Sequence, residues 1–144
     1  MSVVSEITIV TPALVTAFAR LLPQLMSAPS AVGAADLEEI VRGPATCLLV
    51  ARDEAGEIAG AVTVVVFRIP DGVRARIESL VVDQAARGRG VGEALCRAAI
   101  DHARSRGAKM VDLTSAPARE AANRLYRRLG FEPRETNVYR LRLG

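Results

Sequence analysis

Tryptophan is absent from the 144 residues, and aromatic side chains make up only 3% of them. Single-stranded nucleic acids are held largely by stacking on aromatic rings, so nucleic acid is not expected as a partner. Histidine occurs once, as His102, and cysteine twice, as Cys47 and Cys96. With no C-x-x-C pair and a single imidazole, a thiolate–imidazole zinc site is not expected, and no metal is. Two cysteines are too few for a disulfide framework, which favours a reducing, cytoplasmic setting. Long apolar runs are missing as well. None reaches the ~18 residues of a membrane-spanning helix, and Glu6 and Pro12 interrupt the first stretch, so no secretory leader or membrane association is expected.

What is present is an ordinary globular balance, 50% hydrophobic and 24% charged. A chain of this length buries roughly two-thirds of its unfolded surface. One domain over residues 1–144 is therefore expected, without disulfide or metal staples. The net charge of +3 hides an asymmetry. Residues 1–72 hold 4 basic against 8 acidic side chains, and residues 73–144 hold 15 against 8. An anionic partner belongs with the second half.

Punctuation and periodicity place the elements. Val3–Val10 is β-branched and reads as a strand. Thr11 and Pro12 then open a helix as N-cap and first residue. Its apolar face is Leu14, Phe18, Leu21, Leu22 and Leu25. Ser27–Gly33 is loop-like, and Asp36–Val41 is a short second helix. Thr46–Arg52, Ile58–Ile69 and Val73–Val82 are strands separated by Asp53–Gly56 and Pro70-Asp71-Gly72, a three-stranded antiparallel meander. A helix over 91–106 follows, then a strand at Lys109–Thr114. A second helix, Pro117–Leu129, has Ser115 as its cap, and Val138–Leu143 is a terminal strand. The class is mixed α/β, in the order β-α-α-β-β-β-α-β-α-β with one further strand at the end.

Between the meander and the first of these later helices lies Arg87-Gly88-Arg89-Gly90-Val91-Gly92. Three glycines let backbone N–H groups converge without Cβ obstruction. The helix N-terminus adds partial positive charge, and Arg87 and Arg89 add full charges. This is a cradle for a phosphate or pyrophosphate. A P-loop would need Lys-Ser/Thr after the last glycine, where Glu93-Ala94 stand. A dinucleotide fingerprint would need glycine at Glu93. On the Pro117–Leu129 helix, Asn123 and Tyr126 sit one turn apart at the rim of the apolar stripe. Periodicity alone favours local roles for them, Asn123 capping a loop and Tyr126 packing.

The stretch Ile77–Phe131 resembles the GNAT N-acetyltransferase superfamily. Arg87, Gly90 and Gly92 fit its Q/R-x-x-G-x-G/A motif, after the strand Ile77–Asp83. Asn123, Tyr126, Gly130 and Phe131 are similar to its N-x-x-[AY]-x-x-x-G-F stretch. The resemblance implies the GNAT fold, with two parallel strands splaying apart at the cofactor site. It implies acetyl-CoA as co-substrate, its pyrophosphate on Gly88, Arg89, Gly90, Val91 and Gly92 with Arg87. The pantetheine arm would lie along Leu80, Val81 and Val82, with Asn123 bonding to it. Glu78 would be the base, through water, and Tyr126 the general acid. An amine must lose a proton before it attacks the thioester, and Glu78 is the carboxylate in the strand beside the loop. A phenol, of ordinary pKa near ~10, suits a departing thiolate. A backbone N–H around Leu80 would stabilise the oxyanion.

Three functions compete. The first is acetyl transfer to a small-molecule or peptide amine, in a chain that by resemblance also allows a homodimer. The second is a non-catalytic acyl-CoA-binding or regulatory module, in which Glu78 and Tyr126 would be dispensable. The third is nucleic-acid binding by the Arg124, Arg127, Arg128 and Arg134 group, with steep salt dependence. The acceptor groove of the family is shaped by the equivalents of Ser27–Ala35 and Glu132–Asn137. His102 is expected to be a packed residue, and neither cysteine is expected to have a histidine within reach.

Overall fold

The centre of the chain folds where its turn signals direct. β2 (Thr46–Arg52), β3 (Ile58–Ile69) and β4 (Gly72–Val82) form an antiparallel meander. Asp53 closes the first turn, its Oδ1 accepting from the Ala55 and Glu57 N–H groups at 2.9 and 3.0 Å. β1 (Val3–Glu6) pairs antiparallel with β2, and β5 (Val111–Asp112) lies parallel to β4. The sheet order is β1-β2-β3-β4-β5, the mixed α/β arrangement expected. The computed structural model describes residues 2–26 and 31–144. Of the predicted Ser27–Gly33 loop, residues 27–30 lie outside the described residues.

Helices cover both faces of the sheet. α1 (Pro12–Leu25) starts where Thr11 Oγ accepts the Leu14 N–H at 3.2 Å. Its buried residues Leu14, Ala17, Phe18 and Leu21 follow the helical period. With Leu37 of α2 (Ala34–Arg42) they pack on Leu48, Val50, Ile58, Ala61 and Val81. α3 (Val91–Ser105) lies on the opposite face, with Leu95, Cys96, Ala99 and Ala103 fully buried. Gly60 lets it come close: a Cβ there would stand 2.8 Å from the Val81 carbonyl oxygen and 3.2 Å from Val91 Cγ1.

The chain divides into two compact units, Met1–Leu113 and Thr114–Gly144. The first holds the whole sheet with α1 to α3. The second is built on α4 (Glu120–Arg128). Four expectations need correction. β1 ends at Glu6 rather than Val10, because after the Ile7 N–H bonds to Leu48 O the chain must rise into the Thr11 cap. β5 spans two residues rather than six, since the parallel ladder engages β4 only at Ala75 and Arg76. α4 starts three residues after Pro117, and Ser115 Oγ does not cap it: that hydroxyl has no hydrogen-bond partner among the described residues. The Arg119 N–H bonds back to the Ala116 carbonyl, a turn that must finish before the helix can begin. At Val138–Leu143 no strand is recorded; this unit contains no second strand, and a lone strand has no ladder to complete.

Candidate active site

β4 carries a bulge just before its end. Thr63 pairs with Glu78 and Ala61 with Val81, so Val62 faces two residues, Ser79 and Leu80. Ser79 takes φ +54°, the left-handed region, and no other described residue except glycine does so. The extra residue reverses the alternation of the strand. Ile77 shares a face with Val64, on the α3 side, whereas Val81 shares one with Ala61, on the α1 side. Beyond Arg76, no strand among the described residues pairs with the outer edge of β4. The main chain of Leu80, Val81 and Val82 therefore lies on the parallel side of the sheet, where the ladder has already ended.

The chain then enters a 3-10 turn at Gln84–Ala86 and the glycine loop. Gly88 and Gly90 adopt φ +79° and +80°, and space in front of both is open. Only glycine takes such angles without strain. The loop delivers Gly90 as N-cap of α3. The N–H groups of Gly88, Arg89, Gly90, Val91 and Gly92 find no backbone acceptor among the described residues. Converging free N–H groups at a helix N-terminus favour an anion. Arg87 folds back on its own strand, its Nε donating to Val82 O at 3.4 Å, and Arg89 is exposed.

Sequence spacing did not reveal what fixes this loop. Arg20, on α1, donates from Nε to Asp83 Oδ2 at 2.9 Å and from Nη2 to Ile58 O at 2.7 Å. Gln24, one turn on, accepts the Gln84 N–H at 2.7 Å. α1 thus ties the end of β4 to the start of β3 and braces the entry to the glycine loop. Burial pushes the Asp83 carboxyl up, but hydrogen bonds from the Ala85 N–H, Arg20 and Gln24 outweigh it and hold the group below its ordinary value. The sign follows from linkage. A carboxyl lowered in the fold contributes stability that is complete above its unfolded value and is lost as pH falls through the folded one. Asp83→Asn should therefore flatten the loss of stability below about pH 4. Urea midpoints across that range check it; an unchanged slope would show the bracing contributes nothing.

Glu78 lies on the α1 side of the sheet, paired in register with Thr63. It is half-exposed, and its Oε1 accepts from Arg76 Nε at 3.1 Å. A base at this position must give up or share that contact. In the second unit, Asn123 Nδ2 donates to the Ala116 carbonyl at 3.0 Å, fastening the turn ahead of α4. The Phe131 N–H bonds to Tyr126 O and the Gly130 N–H to Arg127 O, the paired bonds of a Schellman closure. The Tyr126 and Phe131 rings meet edge to face, centroids 5.9 Å apart. The Asn123–Phe131 motif is thus also a folding device, and it occupies one hydrogen of the Asn123 amide.

The cysteines are placed unexpectedly. Burial pushes the Cys96 thiol up to about 11. Burial and then Glu6 raise Cys47 to about 11 as well. Neither supplies a thiolate nucleophile near neutral pH. The expectation that no histidine lies near a cysteine is overturned: Glu6, Cys47 and His102 converge, their ligand atoms all within 4.8 Å of one another. They are distant in sequence but meet where β1, β2 and α3 pack. No helix among the described residues is long and apolar enough to cross a membrane.

Comparison with known proteins follows the same lines. Residues 16–131 match the acetyltransferase (GNAT) family. Mycothiol acetyltransferase of Propionibacterium freudenreichii subsp. shermanii is 40% identical over 91 residues, 63% of this chain and 29% of that protein. Glucosamine 6-phosphate N-acetyltransferase 1 of Oryza sativa subsp. japonica is 43% identical over 74 residues, 49% of this chain and 45% of that protein. The chain spans between 23% and 50% of the length of the curated relatives it matches. An acetyltransferase of Trypanosoma brucei superposes with TM-score 0.79 at 27% identity, covering 99% of this chain and 100% of that one. The β4 bulge, the glycine loop opening α3 and the Asn123–Phe131 closure all fall within the matched residues, and the chain belongs to the GNAT acetyltransferase family.

Proposed function

We infer that the chain is an acetyl-CoA-dependent N-acetyltransferase that moves the acetyl group to a small primary amine by direct attack. The glycine loop carries this reading: N–H groups from Gly88 to Gly92 with no backbone acceptor among the described residues, at the N-terminus of α3, with open space before Gly88 and Gly90. Those donors, with Arg89 beside them, fit the two negative charges of a pyrophosphate. When bound, acetyl-CoA supplies the activated acyl group as a thioester. The residues of the chain do the rest. The main chain of Leu80 and Val82, past the end of the β5 ladder, holds the pantetheine arm, and the Leu80 N–H serves the oxyanion. Glu78, released from Arg76, takes the ammonium proton through water, and Tyr126 protonates the leaving sulfur. Much of the acceleration comes from holding amine and thioester together.

Relatives are named for glucosamine 6-phosphate and for L-methionine sulfoximine. Both are small primary amines, which supports a small-molecule acceptor over a peptide. Release of free CoA thiol, followed across a panel of small amines, tests the reading. Amine-dependent release is the expected result. Binding of acetyl-CoA without release for any amine would instead identify a non-catalytic acyl-CoA-binding module.

A further inference from the structure

We propose that Glu6, Cys47 and His102 form a binding site for a divalent cation of the zinc class, in a part of the fold that acetyl transfer does not use. A carboxylate, a thiol and an imidazole lie within 4.8 Å of one another. Three elements bring them there. Glu6 ends β1 in register with Leu49, so it shares the sheet face of Leu49 and Cys47. Ala51, next on that face, pairs with Gly60, against which α3 packs. His102 stands on α3 between the fully buried Ala99 and Ala103. Burial is graded: Cys47 is 3% exposed, His102 half-buried and Glu6 exposed. An ion entering past Glu6 and His102 finds the sulfur at the back.

The donor set selects the ion. One sulfur, one nitrogen and one oxygen suit zinc and its neighbours, whereas magnesium and calcium take oxygen ligands. Three protein ligands leave a fourth position for water. Tetrahedral zinc places its ligand atoms roughly 3.5 Å apart, so the group must contract slightly, and the exposed Glu6 side chain can turn inward. At present the nearby Glu6 carboxylate helps to keep the Cys47 sulfur protonated. Binding replaces the thiol hydrogen by the ion: the S–H proton leaves to solvent as the sulfur–metal bond forms. The guanidinium of Arg106, one turn past His102, acts on Cys47 and opposes the cation, which sets a limit on affinity. His102 lies eleven residues from Val91 along α3, about 16 Å along the helix axis. The ion would therefore act as a clamp between the edge strand β1 and the C-terminal half of α3, remote from the glycine loop.

Cobalt(II), titrated into the full-length, tag-free chain, is the probe. The expected result is a saturable complex of one ion per chain, with thiolate-to-cobalt charge transfer and the intense d–d bands of tetrahedral cobalt. Zinc should displace the cobalt and raise the melting temperature. Glu6→Gln and His102→Ala should each weaken binding about tenfold or more, Cys47→Ser should abolish the charge-transfer band, and Cys96→Ser should change nothing. Should buried Cys47 not tolerate serine, the half-buried and exposed positions decide. No charge-transfer band in the wild-type chain, or affinity unchanged in both Glu6→Gln and His102→Ala, would overturn the proposal.

Discussion

Gly60→Val should lower the stability of the fold by about 3 kcal/mol and weaken acetyl-CoA binding at least about tenfold. The two effects share one cause. A Cβ at this position meets the Val81 carbonyl oxygen at 2.8 Å, Leu95 Cδ1 at 3.0 Å and Val91 Cγ1 at 3.2 Å. The leucine can rotate, but the carbonyl belongs to the backbone of β4 and cannot move without disturbing the ladder. Valine adds two methyl groups to that conflict. Relief requires the first turn of α3 to lift from the sheet. That turn begins at Val91, directly after the N-cap Gly90, so the cradle lifts with it. Gly60→Ala should show the same pair of effects at smaller size. Denaturant unfolding and calorimetric titration measure them. A valine variant with wild-type affinity would show that the seating of α3 does not position the loop.

Tyr126→Phe should lower kcat by about 100-fold and leave acetyl-CoA affinity within about twofold. The variant keeps the ring packed edge to face on Phe131 and the main-chain carbonyl that receives the Phe131 N–H. Only the hydroxyl is removed. A fall in kcat without a fall in melting temperature would therefore isolate the hydroxyl as a proton donor. An unchanged kcat at saturating acetyl-CoA would remove Tyr126 from the acid role and leave its motif a structural closure.

Much of this was legible in the sequence, for reasons that are local. The strands of the meander are bounded by Asp53–Gly56 and Pro70-Asp71-Gly72, whose turn chemistry acts on adjacent residues. The Thr11 cap and the period of Leu14, Phe18 and Leu21 are likewise short-range. The glycine loop was marked by its three glycines, by its place between a strand and a helix, and by the family resemblance downstream. What stayed hidden depends on register or on long-range packing. The bulge at Ser79 exists only because Val62 faces two residues of β4, which the composition of either strand does not reveal. Arg20 braces Asp83 from 63 residues away, and Cys47 meets His102 across a strand and a helix. The late start of α4 reflects a competing turn at Ala116 that outweighs the helix-starting preference of Pro117. Asn123 and Tyr126 carry local bonds that periodicity foresaw, in the same residues the resemblance marks for chemistry.

The central claim is that the glycine loop holds the pyrophosphate of acetyl-CoA. Melting temperature with acetyl-CoA, CoA, ATP, NAD and no ligand tests it most directly. A ligand present at about 100 times its Kd adds roughly 2.7 kcal/mol to the folded state, a readily measured shift. The account predicts such a shift for acetyl-CoA and CoA, little for ATP or NAD, and its loss when Gly90, at φ +80°, is replaced by valine. No shift with either acetyl-CoA or CoA, or an equal shift with all four ligands, would contradict it.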